Sequence, residues 1–470
     1  MRSNTFHDVM NPPHIQAFRS RRPINPLRLS GFMILLALFA ACAHSPDVQN
    51  NKRNIQLETF EAAWSRIGET YYDPEMNGLD WVLLHDQLVD EAAKAKNNGE
   101  LRVVLKQLLE PLGESHFAIL PAEVYSQPTE PEQLTSTDQE GAPFHGSLGL
   151  KITVKDGQAI VREVDPQSDA YAKGLRVGSR IVTIDNTNIT AQLDQLGAEI
   201  TDKRALEFHA TRMINGLLQV ESPSTTPLEL ESPEGEGTQL DLKPHAIEGT
   251  PQKMGMLPEF LTVYESKLMA NNEIGFVRFT EWAPPIVERF TESVAEFNTA
   301  GATKGLIIDL RENPGGVAAL SMGVAGHLVK KRGESLGVMQ DKTMTLNLKI
   351  FPRPRSQRWE GPVVILIDGL SASTSEIFAA GLQDLNEATV IGSQSAGMAL
   401  ASMIEALPNG DRLQFVIWNL TRTNGERVEG AGVTPDIVID STPASFQNGQ
   451  DPVIQAALDF LLTEQSGKPE

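Results

Sequence analysis

Two unbroken apolar runs constrain this chain more than any other feature. Leu306-Ile307-Ile308 leads into Asp309-Leu310, and Val363-Val364-Ile365-Leu366-Ile367 runs straight into Asp368. A strand with one face in water alternates apolar and polar residues, so a run without alternation is a strand covered on both faces. Further strands are expected at Ile274–Phe279, Thr389–Ile391 and Leu413–Trp418. Helical stretches fall near 284–298, 317–331 and 375–385. Strands separated by helices imply a mostly parallel sheet with helices packed on it, an α/β core over residues 255–445. Residues 446–470 read as a C-terminal helix and tail.

The rest of the 470-residue chain holds other patterns. Phe60, Trp64, Ile67 and Tyr71 recur at helical spacing, as do Leu101, Val104, Leu105 and Leu108, so residues 57–120 form a small helical N-terminal domain. Residues 121–142 are rich in Pro, Glu, Thr and Ser and read as a linker. Short strands and Gly-containing turns fill 143–246. No internal repeat is found. Asp and Glu number 61 against 40 Lys and Arg. No Lys/Arg run with interleaved aromatics appears in the body of the chain, so nucleic acid, which needs a basic face for phosphate neutralisation, is not an expected partner. The acidity serves solubility.

The N-terminus reads as a targeting segment over residues 1–42, followed by a polar tether over 43–56. Arg19, Arg21, Arg22 and Arg28 precede the apolar run Gly31–Ala41. That run is too short to span a bilayer core of about 30 Å, and the pattern is that of a secretory signal. It ends at Cys42, the only cysteine, so no disulfide forms. Cys42 after Phe39-Ala40-Ala41 resembles a bacterial lipobox, with Phe39 departing from the usual leucine. That resemblance implies lipidation at Cys42, export, and anchorage on the periplasmic face. Alanine rather than aspartate after Cys42 points to the outer membrane.

Two segments carry chemistry. In Ser371-Ala372-Ser373-Thr374-Ser375-Glu376 a buried strand gives way to a helix. Ser373 with Glu376 has capping-box spacing, and a capping serine is the plain reading of the segment alone. The chemical reading is a nucleophile on a strand-to-helix turn, with the Thr374 N–H and the helix dipole facing an oxyanion. In Asn313-Pro314-Gly315-Gly316 a second buried strand ends in adjacent glycines, which let backbone approach a ligand closely. Alone, this is a tight turn. Asp309 and Arg311 read as a structural pair.

Ser147-Leu148-Gly149-Leu150, with the later Gly174-Leu175-Arg176-Val177-Gly178-Ser179-Arg180-Ile181 string, resembles a PDZ domain over 143–246. The resemblance implies that Ser147, Leu148, Gly149 and Leu150 bind a peptide's terminal carboxylate while the sheet edge accepts an added strand.

Taken in order, the helical start, this PDZ-like position, Asp309-Leu310-Arg311-Glu312-Asn313-Pro314-Gly315-Gly316, the Ser371–Ile377 string and Gly430-Ala431-Gly432-Val433-Thr434-Pro435-Asp436 resemble the S41 peptidases. These are the tail-specific C-terminal processing proteases, the tricorn core and relatives. The resemblance implies a crotonase-like (ClpP/crotonase) α/β core and Ser373 as nucleophile, with Ser371 and Ser375 as structural neighbours. It implies that the N–H groups of Thr374 and Gly316 or Gly315 hold the oxyanion. The bacterial processing branch pairs its serine with a lysine, and the corresponding position here is Met398, which accepts no proton. The tricorn-like branch instead carries Ser-His at the end of its helical domain, matched by Ser115-His116, with a distant glutamate best matched by Glu429; Glu426 and Glu405 lie in the same half of the chain. Imidazole suits the task because its ordinary pKa, ~6.5, lies near working pH. The other histidines, His85, His145, His209, His245 and His327, have no comparable setting.

The expected function is a serine-type endopeptidase that forms an acyl-enzyme, with the PDZ domain recognising substrate C-terminal tails. The alternative is an inactive, lipid-anchored binder of peptides or apolar ligands on the same fold. A crotonase-like acyl-CoA enzyme fits the core but not the Ser-His pair. No metal-ligand spacing and no phosphate loop appear, so neither metal nor cofactor is expected. The partners are peptides or unfolded proteins, and the membrane through Cys42.

Overall fold

The computed structural model describes residues 46–124, 144–257, 259–439 and 451–463. The expected export segment, Cys42 and the linker from residue 125 lie outside them. Among the described residues no helix is long and apolar enough to cross a membrane.

The helical start has α1 (Pro46–Thr70), α2 (Trp81–Lys94) and α3 (Asn98–Leu109). Asp80 caps α2 by accepting from the Leu83 N–H at 2.9 Å, and Asn97 caps α3 through the Glu100 N–H at 3.0 Å. The residues at helical spacing, Phe60, Ile67, Tyr71, Leu101, Leu105 and Leu108, are buried. They share one cluster with Leu400, Leu413, Phe415 and Val416 from the far end of the chain. Strand β1 (Ala118–Leu120) follows.

The β-rich segment contains β2 (Leu150–Lys155), β3 (Gln158–Val164), a short α4 (Asp169–Ala172) and β4 (Arg180–Ile184). Helices α5 (Ile189–Glu199) and α6 (Lys203–Leu217) come next, then β5 (Thr226–Glu231) and β6 (Gly237–Leu242). The strands form one antiparallel sheet in the order β2-β3-β4-β5-β6, with β2 at its edge. Alternate residues Ile152, Val154, Val161, Ile181, Leu228 and Leu230 point into its core, against Ile189 and Ile214 of the two helices.

The α/β part has β7 (Tyr264–Met269), β8 (Ile274–Phe279), α7 (Ile286–Ala300), β9 (Gly305–Asp309) and α8 (Ala318–Ala325). It continues with β10 (Ser335–Gln340), β11 (Thr345–Lys349), β12 (Val363–Ile367), α9 (Thr374–Asp384) and β13 (Thr389–Gly392). Last come β14 (Ala401–Ala406), β15 (Arg412–Thr421), β16 (Ile437–Val438) and α10 (Pro452–Thr463). The central sheet runs β7-β8-β9-β12-β13-β16, parallel from β8 onward. Every residue of β9 and β12 is buried, as the unbroken runs require. Ile308 and Ile365 face Phe290, Val294 and Phe378, whereas Ile307, Val364 and Leu366 face Val453, Ala457 and Leu461 of α10.

A second sheet was only partly legible. The expected strand Leu413–Trp418 is longer and pairs with β14, and β10 and β11 form an unforeseen hairpin beside it. The helix expected over 317–331 ends at Ala325. Gly326 lies against the Phe351 carbonyl, where an added Cβ would stand 2.7 Å from the oxygen. Only glycine fits that approach, and glycine is a weak helix former, which favours ending the helix there. In the second sheet β1 and β14 both pair antiparallel with β15, Ala118 and Ile404 each opposite Gln414. Both strands therefore enter from one side, which brings the residues before them, Ser115-His116 and Met398-Ala399, to the same end of the sheet.

Candidate active site

Three serines stand at the end of β12, and their surroundings separate them. Ser371 and Ser375 are fully buried. The Ser371 hydroxyl donates to the Leu310 carbonyl at 2.8 Å, and the Ser375 hydroxyl donates to the Asn313 carbonyl at 3.0 Å. Both tie the two strand ends together. Ser373 between them is half-buried and makes no side-chain cap hydrogen bond. Its backbone sits at φ 53°, ψ −116°, a left-handed conformation that a serine adopts only where its surroundings impose it. Two bonds hold it there: the Ser373 N–H donates to the Met398 carbonyl at 2.8 Å and to Glu376 Oε2 at 3.0 Å. So Ser373 and Glu376 stand in capping-box positions; the serine hydroxyl donates to no protein group among the described residues, and the Glu376 N–H donates to the Ser373 carbonyl at 2.9 Å.

Glu376 is fully buried and also accepts from the Ser395 hydroxyl at 2.5 Å and from the N–H groups of Gly397 and Met398 at 2.8 and 2.9 Å. Burial pushes its pKa up to about 7, against the pull of these donors. One carboxylate thus fixes both the Ser373 turn and the loop through Met398.

The Asn-Pro-Gly-Gly turn after β9 lies against this serine. An added Cβ on Gly315, at φ 105°, would stand 2.7 Å from Ser373 Cβ and 2.9 Å from the Thr374 nitrogen. Only glycine permits that approach. The Gly315 N–H donates to Asn313 Oδ1 at 3.0 Å, so of the two expected glycine donors Gly315 is committed elsewhere. Gly316 accepts at its carbonyl from the Thr374 hydroxyl at 2.9 Å. Among the described residues, the N–H groups of Gly316 and Thr374 donate to no protein group.

Ser115, His116 and Glu429 come together. The Ser115 N–H donates to Glu429 Oε1 at 2.8 Å, its hydroxyl donates to Oε2 at 3.0 Å, and the same hydroxyl lies 2.6 Å from His116 Nδ1. A hydroxyl has one proton. Because that proton goes to the carboxylate, the hydroxyl accepts from Nδ1–H, which leaves the Nε2 lone pair free. The Ala399 N–H also donates to Glu429 Oε2, at 2.7 Å. A continuous bonded path therefore runs from the His116 ring through Ser115, Glu429, Ala399 and Met398 to the Ser373 backbone. No hydrogen bond joins the His116 ring to the Ser373 hydroxyl directly among the described residues. Burial raises the Glu429 pKa, and burial pushes His116 down to about 4, with the nearby charge of His209 adding to the fall. The neutral imidazole is the stable form at neutral pH. Glu405 instead accepts from Arg66 at 2.7 Å, and Glu426 closes a turn with Asn424.

Helix α6 reaches this site, which the sequence did not disclose. Phe208 packs with Ala372, Ala396 and Met398, so an apolar contact fills the position where a lysine would stand. Arg204 donates to the Ala431 carbonyl at 3.0 Å and to that of Gly430, next to Glu429. His209, set aside in the sequence, proves to lie near His116. Asp309 and Arg311 form the expected structural pair, at 2.9 and 2.7 Å. Burial opposes ionisation of Asp309, but Arg311 and Arg278 hold it well below the usual range.

The Ser147–Leu150 loop lies at the entrance to edge strand β2. The Leu148 N–H donates to the Leu218 carbonyl at 3.1 Å and the Gly149 N–H to Ser147 Oγ at 3.0 Å. Among the described residues no group of three or more His, Cys, Asp or Glu side chains is placed to hold a metal ion.

A strained serine at a strand-to-helix turn beside unengaged N–H groups, with a carboxylate-oriented imidazole tied through Glu429 and Ala399 to the loop that holds that turn, is the equipment of a serine-type peptidase. Comparison with known proteins agrees. Residues 273–439 match Peptidase family S41, and residues 56–110 match the Tricorn protease C1 domain. The carboxy-terminal-processing protease of Bartonella bacilliformis is 26% identical over 318 residues, covering 65% of this chain and 64% of its own length. The carboxyl-terminal-processing protease of Synechocystis sp. is 23% identical over 404 residues, covering 85% of each chain. Among solved structures, the photosystem II D1 C-terminal processing protease is similar with a TM-score of 0.54 at 20% identity, covering 85% of this chain and 98% of its own. Mature CPAF is similar with a TM-score of 0.57 at 16% identity, covering 89% and 99%. These structures share the fold, mixed helix and sheet with a helical N-terminal region. Residues 273–439 carry the domain of peptidase family S41.

Proposed function

We propose that the protein cleaves peptide or unfolded-protein substrates through an acyl-enzyme on Ser373, with His116 as its base. The observation that carries this reading is the Ser115 hydroxyl, bonded to His116 Nδ1 at 2.6 Å and to Glu429 at 3.0 Å. Such an arrangement holds one tautomer and leaves Nε2 to take a proton.

Ser373 Oγ attacks the peptide carbonyl carbon while its proton passes to His116 Nε2. The carbonyl oxygen becomes an oxyanion, received by the N–H groups of Gly316 and Thr374 at the start of α9. Collapse breaks the C–N bond, and the proton on Nε2 leaves with the amine. Water then attacks the ester, losing its proton to His116; the C–O bond to Ser373 breaks, His116 returns that proton to Ser373 Oγ, and the carboxylate product leaves. Contacts of this kind are often long without substrate and tighten when it binds. Met398 contributes no proton chemistry, so the mechanism belongs to the Ser-His rather than the Ser-Lys branch.

The α/β part is read as a crotonase-like core, and residues 143–246 as a PDZ-like domain that takes substrate C-terminal tails. The targeting pattern and Cys42 support a lipid-anchored enzyme on the periplasmic face of the outer membrane. The acyl-enzyme is the direct test. A peptide ester mixed with the protein and quenched in acid within milliseconds should leave one acyl group on Ser373 by mass spectrometry. An acyl group on another residue, or none while substrate disappears, contradicts the mechanism.

A further inference from the structure

We propose that helix α6 carries a built-in imitation of a peptide strand, which closes the tail-binding edge of the PDZ-like domain. The inference rests on the PDZ-like reading of that domain. A peptide that joins a sheet edge bonds to the outward N–H and C=O groups of alternate residues. Along β2 three of those groups, the N–H and C=O of Ile152 and the N–H of Val154, already have partners, and the partners come from α6. Asn215 Oδ1 accepts from the Ile152 N–H at 2.8 Å, while Asn215 Nδ2 donates to the Ile152 carbonyl at 3.0 Å. One side-chain amide thereby does what one backbone amide of an incoming strand would do. The next outward group, the Val154 N–H, donates to Thr211 Oγ1 at 2.9 Å. At the entrance, the Leu148 N–H goes to the carbonyl of Leu218, which ends α6.

The spacing is that of one helical stripe. Arg204, Phe208, Thr211 and Asn215 recur at i, i+4, i+7 and i+11. Its C-terminal half closes β2. Its N-terminal half is held on the α/β core by Arg204 and Phe208. The helix is pinned at both ends, and Thr211 is buried. A tail enters only by replacing these bonds with its own, so residues 211 and 215 set the tail affinity. An unpaired edge strand is also a template for association, and the imitation covers it.

The test uses the full chain carrying Ser373→Ala, which binds without cutting. A fluorescent octapeptide with an apolar last residue and a free carboxylate is titrated by anisotropy, beside its C-terminally amidated form. With Asn215→Ala and Thr211→Val added, the free-carboxylate peptide should bind about tenfold tighter, as expected for release of two or three competing hydrogen bonds. The amidated form should not gain. Hydrogen exchange at the Ile152 and Val154 amides should quicken in the same variant and slow again with peptide. Thr211→Val alone, which keeps the side-chain volume, should show the Val154 part of the effect. Equal affinity for parent and variant would overturn the imitation while leaving tail binding intact. Failure of both to bind the free-carboxylate peptide would overturn the PDZ-like reading, and the inference with it.

Discussion

Ser115 and Glu429 are joined by two hydrogen bonds across a separation of 314 positions, one from the serine backbone and one from its hydroxyl. The pair exists because β1 joins the edge of β15 directly after His116. The carboxylate therefore orients the ring through a serine rather than by touching it. Glu429→Gln keeps the shape but presents a neutral amide to donors. We expect kcat to fall about 10²–10³-fold with KM little changed, measured on a peptide substrate. An unchanged kcat would remove Glu429 from the relay.

The acid limb of the pH profile reports the base. A histidine acts as a base only above its pKa, and burial puts that of His116 at about 4. The kcat/KM limb assigned to His116 should therefore lie near 4, not near the ordinary ~6.5. His209→Gln removes a neighbouring positive charge, so this limb should move to higher pH. Glu376, at about 7, also titrates at the site, as does Glu429, whose pKa burial raises. Glu376→Gln should abolish its step near neutrality and leave the lower limb in place. A His116 limb at 6–7 that ignores His209 would contradict the burial argument.

Met398→Lys asks whether the missing dyad can be restored by one residue. Met398 is buried among Phe208, Ala372 and Ala396. An ammonium there loses its hydration and displaces packed surface, at a cost of about 1–3 kcal/mol. We expect a lower Tm by thermal denaturation and no recovery of turnover when the change is added to His116→Ala. Recovery would show that the cavity still accepts a lysine base.

Gly315→Ala tests the turn against the serine. A methyl group 2.7 Å from Ser373 Cβ, at a positive φ, must push the two loops apart. Turnover should drop at least about 10²-fold, the scale of a misplaced oxyanion donor, with far-ultraviolet circular dichroism unchanged. Wild-type turnover would mean the loops do not face a common substrate.

The parts read most directly from sequence were those that local chemistry dictates. Unbroken apolar runs became β9 and β12, and Phe60, Ile67 and Tyr71 became a buried stripe. Among the three serines, local pattern alone favoured a cap at Ser373. The structure distinguishes them by burial and by which hydroxyls are already bonded, neither of which is a local property. The meeting of Ser115, His116 and Glu429 was expected only from a family resemblance, because strand pairing between β1 and β15 leaves no mark in either segment. Helix α6 went unread altogether. Its stripe of Arg204, Phe208, Thr211 and Asn215 is polar where a core-facing stripe is ordinarily apolar, and that mismatch was the available sign of a surface shared between two parts of the chain.

Fluorophosphonate labelling of the intact protein, followed by peptide mass spectrometry and timed against His116→Ala, reaches the reactive serine and its base together. Ser373 should carry the adduct in the wild type and in Ser371→Ala. The adduct should vanish in Ser373→Ala and form at least about 10²-fold more slowly in His116→Ala. Labelling of Ser373 at the wild-type rate without His116 would contradict the imidazole as its base.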